Sequence, residues 1–141
     1  MEWQETAEVL GGVAVLGKDV VSGVAFARRV EQGLPSSAII RLKGFTHFSD
    51  SELAEVIPRR TLTSMRGVKR LSTDQSDRVA RTAGIAALAQ RVFGDAELAR
   101  EWLLSPNPVL NMEIPLRLLR TGTGAKVVED VLIRIDHGVY E

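Results

Sequence analysis

Few residues in this chain could do acid–base or covalent chemistry. There are two histidines, His47 and His137, and no cysteine. His137 stands beside Asp136, but neighbours along a helix point apart, and a histidine in a last helical turn chiefly complements the helix dipole. Gly122-Thr123-Gly124-Ala125-Lys126 superficially resembles a phosphate-cradling loop, yet lacks the spacing of one and reads more simply as a helix cap. A catalytic site needs several converging groups, and none can be assembled here. The sequence therefore predicts a protein that is not an enzyme and calls for no cofactor and no metal.

Recognition chemistry is better represented. Arg59-Arg60-Thr61-Leu62-Thr63-Ser64-Met65-Arg66, followed by Lys69 and Arg70, combines guanidinium forks that match guanine edges with hydroxyls that bind phosphate oxygens. The pattern turns Leu62 and Met65 inward and Arg60, Thr61, Thr63, Ser64 and Arg66 outward. The candidate DNA-binding set is Arg59, Arg60, Thr61, Thr63, Ser64, Arg66, Lys69 and Arg70. From Arg59 to Arg81 seven basic residues stand against two acidic ones. The whole chain balances 18 basic against 18 acidic residues, so a local patch of this kind suits a modest, salt-sensitive DNA contact. A second recognition feature is the apolar, aromatic and acidic tip Val139-Tyr140-Glu141.

The elements that would position these groups are helical. Ser49 and Glu52 have the spacing of a capping box and open a short helix with Leu53, Ala54, Val56 and Ile57, which Pro58 ends. With the Arg-rich helix after it, this makes the two parts of a helix-turn-helix. Pro58 departs from the usual pattern, which has a glycine four residues after the small residue, here Ala54; a tighter turn is expected. Ser72 with Gln75 caps a helix running to Phe93 and Gly94, apolar at Val79, Ala83 and Ala87 on one side and at Ile85, Leu88 and Val92 on another, hence buried between layers or in a subunit contact. Upstream, residues 1–17 with Gly11, Gly12 and Gly17 read as a loose or partner-ordered arm. A helix from Asp19 to Gly33 carries Val20, Val21, Val24, Phe26, Ala27 and Val30. Pro35 opens another, with Ala38, Ile39 and Leu42 inward.

Downstream, Asp95 caps a helix that places Leu98, Trp102 and Leu103 on one side. Ser105-Pro106-Asn107-Pro108 forms a rigid elbow, since proline lacks the donor a helix interior needs. Ile114-Pro115-Leu116 starts a short helix with Pro115 in its first turn, and Thr121 to Gly124 caps the last one. There Val128, Val131, Leu132 and Ile135 recur at helical spacing while Lys126, Asp130 and Arg134 alternate in sign on another face. Gly138 supplies a terminating left-handed residue.

The ordered run Trp102-Leu103, Pro106-Asn107-Pro108, Ile114-Pro115-Leu116, Leu118-Leu119, Thr121, Gly124-Ala125, Val127-Val128, Arg134-Ile135 and His137-Gly138-Val139-Tyr140 resembles the toxin-binding domain of the Xre/MbcA/ParS antitoxins. The resemblance extends more loosely back to about residue 33 and includes an Ile57-Pro58-Arg59-Arg60-Thr61-Leu62 run like those in Xre-like antitoxins. It implies an all-α protein, in which an Xre/Cro-like helix-turn-helix domain is joined by a long helix to a small helical toxin-binding domain. The divisions expected are 1–17 for the arm, 18–94 for the DNA-binding region and 95–141 for the toxin-binding domain. It also implies a RES-domain, NAD-consuming toxin as partner, silenced when the antitoxin's C-terminal end covers its active site. Arg134, His137, Gly138, Val139, Tyr140 and Glu141 would then lie at or near the toxin pocket, and the antitoxin would repress its own operon by binding operator DNA. Asn111-Met112 stands where the family generally has a Gly-Gly pair, which leaves the shape of that loop open. A rival reading is a stand-alone helix-turn-helix regulator with a C-terminal dimerisation unit; a homodimer is expected under either.

Length and composition frame these expectations. At 141 residues and 45% hydrophobic content the chain can bury a sizeable core. The absence of cysteine fits a cytoplasmic location. The apolar stretch from Val9 to Leu16 is too short and too broken by glycine to span a membrane.

Overall fold

The computed structural model describes residues 2–63 and 70–138. Among these the chain is all-helical, as its periodicities predict. The elements are α1 (Trp3–Val9), α2 (Gly12–Leu16), α3 (Gly23–Gln32), α4 (Ser37–Thr46), α5 (Asp50–Leu53), α6 (Arg59–Thr63), α7 (Thr73–Phe93), α8 (Ala96–Leu104), a 3-10 turn (Pro108–Leu110), α9 (Pro115–Leu118) and α10 (Gly122–Asp136). No described helix is long and apolar enough to cross a membrane.

Helix α7 is the axis of the fold. Ser72 accepts from the Gln75 N–H and the Gln75 side chain accepts from the Ser72 N–H, so the expected capping box starts it, and Gly94 at φ 72 ends it. From Thr82 to Ala89 every residue is buried. The cause is the neighbours: α1, α3, α4, α8 and α10 all pack on α7. A helix apolar on more than one side is stable only when covered on more than one side.

The first 17 residues correct the expectation of a loose arm. Trp3, Thr6, Ala7 and Leu10 form a helical stripe, with Thr6, Ala7 and Leu10 buried; α1 lays this stripe on α7. Trp3 stacks on Phe26 of α3 with ring centroids 6.3 Å apart, and Arg91 of α7 pairs with Glu5 at 2.6 Å. The glycines that suggested disorder make a corner instead: Gly11 and Gly12 hold φ of 110° and 56°, and Leu16 in α2 returns to the core.

Two other helices differ in detail. The helix expected from Asp19 begins at Gly23, because Ser22 accepts from the Ala25 N–H at 3.1 Å and so makes the N-cap. Of its apolar residues Phe26 is buried, Val20 and Val30 are partly so, and Val21 and Val24 face out. In α8 the Asp95 cap is present, but the buried residues are Ala99 and Leu103, and Leu98 is exposed. The inward face of α8 therefore runs through Ala99 and Leu103, with Trp102 partly buried against Phe93. In α4, by contrast, Ala38, Ile39 and Leu42 are buried as expected.

Candidate functional site

The corner expected to form the helix-turn-helix is α5, the turn through Glu55, Val56 and Ile57, and α6. Ser49 and Glu52 close the expected capping box on α5, and Leu53, Val56, Ile57 and Leu62 anchor the corner to the core. The first helix is shorter than expected: α5 stops at Leu53 and hydrogen-bonded turns carry the chain to Ile57, so Pro58 does not end it. Pro58 instead starts the second helix, its carbonyl accepting from the Thr61 N–H at 2.8 Å and the Leu62 N–H at 3.3 Å. The proline thus replaces the usual glycine without a left-handed residue.

Of the residues expected to face DNA, Arg59, Arg60 and Arg70 are exposed, and Arg59 Nη2 donates to Ser51 Oγ at 3.4 Å. Thr61 is corrected. It is buried, and its hydroxyl accepts from Gln75 Nε2 at 2.9 Å, so it ties α6 to the first turn of α7. Ser64, Met65, Arg66 and Lys69, together with the side chain of Thr63, lie outside the described residues. The basic patch is smaller than the charge count implied, because Arg78 and Arg81 turn inward. Arg78 Nη1 donates to the Val56 carbonyl at 3.0 Å. Arg81 Nε donates to the Leu119 carbonyl at 2.8 Å and its Nη2 to that of Arg120 at 3.2 Å, while Asp77 pairs with the same guanidinium. Arg81 therefore satisfies carbonyls left open where α9 ends.

The residues that hold this corner in place were not evident from local patterns. Each capping-box side chain has two roles. Gln75 closes α7 with its oxygen and holds Thr61 with its nitrogen. Glu52 Oε1 accepts from the Ser49 N–H at 2.8 Å, and Oε2 pairs with Arg100 of α8 at 2.6 Å. Partial burial pushes the Glu52 carboxyl up, but the Ser49 N–H, Arg100 and the Ser49 hydroxyl together hold it below the ordinary carboxylate range. Glu55 pairs with Arg117 Nε and Arg120 Nη2, both at 3.0 Å, and its carbonyl accepts from Arg120 Nε at 2.6 Å.

The C-terminal unit follows its expected outline. Asn107 begins a tight loop: its side chain accepts from the Val109 N–H, and it forms an isolated antiparallel bridge with Glu113. Asn111 and Met112 both adopt left-handed backbone, at φ 56 and 65, so the loop keeps a glycine-like course with two residues that are not glycine. Pro115 occupies the first turn of α9. Thr121 accepts from the Gly124 N–H at 2.9 Å, confirming Gly122 to Lys126 as a capped helix start. A side chain at Gly124 would approach the Leu118 carbonyl oxygen to 2.0 Å, so the glycine is what lets α10 begin against the end of α9. Val128, Val131 and Leu132 are buried as expected. Arg134 and His137 are exposed at the far end of α10, and Gly138 has φ 78. Val139, Tyr140 and Glu141 lie outside the described residues.

Comparison with known proteins assigns both halves. The Antitoxin Xre-like helix-turn-helix domain matches residues 25–84. The Antitoxin Xre/MbcA/ParS C-terminal toxin-binding domain matches residues 88–138. The chain is 31% identical over 121 residues to the Antitoxin Xre of Pseudomonas putida, an alignment spanning 85% of this chain and 76% of that protein. With the Antitoxin Xre of Yersinia enterocolitica it shares 30% identity over 129 residues, spanning 89% and 87%. With a helix-turn-helix domain leading through α7 into a toxin-binding domain, the chain belongs to the Xre family of antitoxins, a family of binding proteins and not of enzymes.

Proposed function

We propose that this antitoxin neutralises a RES-domain toxin that consumes NAD, by covering the toxin's active-site entrance with its own C-terminal end, and that it represses its own operon through α6. The observation that carries the first part is the end of α10. The helix packs on α7 along its buried side and presents Arg134 and His137, both exposed, just before Gly138. The last three residues, Val139, Tyr140 and Glu141, follow directly. A tyrosine offers large contact area at low entropic cost, and the Glu141 side chain offers negative charge to a pocket shaped for phosphates. The toxin contacts are thus assigned to Arg134, His137, Gly138, Val139, Tyr140 and Glu141.

For the DNA contacts the supporting residues are Arg59, Arg60 and Arg70, with Thr63, Ser64, Arg66 and Lys69 completing the set; Thr61 leaves it. The protein works in the cytoplasm, as a homodimer or in a larger assembly with its toxin, because paired half-sites are the usual target of a helix-turn-helix.

The test is co-purification with a RES-domain toxin encoded beside it, followed by an NAD-consumption assay with and without this chain. Association with suppressed NAD loss is expected, and a chain ending at Gly138 should associate more weakly and fail to suppress. Full suppression by that shortened chain would overturn the covering mechanism. No association at all would favour a stand-alone regulator.

A further inference from the structure

The α5–α6 corner is small: four residues, a turn and five more. Helices this short do not hold themselves, and the apolar anchors Leu53, Val56, Ile57 and Leu62 attract without fixing an angle. Direction comes from hydrogen bonds: Gln75 ties Thr61 of α6 to α7, and four arginines hold α5 and the turn. Arg78 holds the Val56 carbonyl, Arg100 holds Glu52, and Arg117 and Arg120 hold Glu55. Three of the four lie within the region that matches the toxin-binding domain.

We propose that Arg117 and Arg120 are positioning residues for DNA reading, which act through Glu55 to set the angle at which α6 meets the operator. The toxin-binding domain is then part of the DNA-reading apparatus. Arg120 fixes the turn at the backbone, through the Glu55 carbonyl, and at the side chain, through the carboxylate it shares with Arg117. About half of each arginine side chain remains in solvent, so these bonds contribute little to overall stability and act on orientation instead. The proposal rests on the assignment of α6 as the DNA-facing helix.

Direct phosphate contact by the same two arginines is the competing explanation, and Glu55 separates the two. If Arg117 and Arg120 touched phosphates, Glu55→Gln would free them from a competing acid and tighten binding. If they position α6, the same change weakens binding although it removes a negative charge. The experiment measures affinity of the full-length protein for a duplex spanning the promoter of its own gene, across a series of salt concentrations, for Glu55→Gln, Arg120→Gln and Arg60→Ala. Glu55→Gln and Arg120→Gln should each weaken binding by about three- to tenfold with an unchanged salt slope. Arg60→Ala should weaken binding and flatten the slope. Tighter or unaltered binding by Glu55→Gln, or a flattened slope for Arg120→Gln, overturns the proposal. Loss of any Arg60→Ala effect instead overturns the α6 assignment, and this proposal with it. Should Glu55→Gln lower the melting temperature, Arg117→Gln, which keeps the bond from Arg120 to the Glu55 carbonyl, serves as the milder variant: weaker binding at an unchanged salt slope supports positioning, and unaltered binding or a flattened slope overturns it.

Discussion

Arg120 reaches Glu55 twice across 65 residues of sequence, with Nη2 at 3.0 Å from the carboxylate and Nε at 2.6 Å from the main-chain carbonyl. One guanidinium thereby joins the α5–α6 turn to the end of α9. A double-mutant cycle on Glu55→Ala and Arg120→Ala, followed by urea unfolding, should return a coupling energy of about 0.5–1 kcal/mol, the range for part-exposed pairs of good geometry. Additive single effects would show that the two residues are neighbours without being energetically linked.

Gly124 has a steric duty that its cap position conceals. A Cβ there would sit 2.0 Å from the Leu118 oxygen, a backbone atom that cannot swing aside. Gly124→Ala should therefore destabilise the protein by roughly 3 kcal/mol, the upper part of the range for overpacking. Gly122→Ala is the control, since nothing lies within 4 Å of its added carbon. The pair of melting curves decides it, and equal stability of the two variants would contradict the close approach of α9 and α10.

Asn111 and Met112 occupy left-handed backbone that costs a residue with a Cβ about 1–2 kcal/mol, less for asparagine. Glycine avoids that strain but loses more chain entropy on folding. The balance favours Met112→Gly by about 0.5–1 kcal/mol, while Asn111→Gly should be nearly neutral. Met112 is largely exposed, so little packing is lost. A drop in stability for Met112→Gly would mean that its side chain does more than the backbone argument allows.

Glu52 links stability to pH. Its carboxyl is held below the ordinary value of 4.5, so the folded state favours the ionised form. The stabilisation is fully present above that ordinary value and is lost as pH falls through the depressed folded one. Urea unfolding between pH 6 and roughly pH 3 should show a smaller acid-induced loss for Glu52→Gln than for the natural chain. Arg100→Met should shrink the loss in the same way, by removing one cause of the depression. An identical acid profile in all three proteins would show that Glu52 does not contribute to it.

What the sequence by itself determined is local and periodic. The caps at Ser49 with Glu52, Ser72 with Gln75, Asp95 and Thr121 are all formed, because a cap joins residues three apart and needs no other part of the chain. The all-helical class, the layered burial of α7 and the inward face of α10 followed from spacing alone. The resemblance in the last forty residues is likewise carried by linear order. Tertiary structure decided everything that joins distant residues. Thr61 looked like a DNA contact by its neighbours, and it is buried because Gln75 lies across from it. Arg78 and Arg81 counted as surface charge until α9 and the Val56 turn came within reach of them. The first 17 residues carried a legible stripe at Trp3, Thr6, Ala7 and Leu10, which the glycines after it obscured. The stripe became a helix packed in the body because α7 offers it an apolar wall. A short helix is marginal alone and is chosen by what it packs against, so its fate is a property of the fold and not of its own residues.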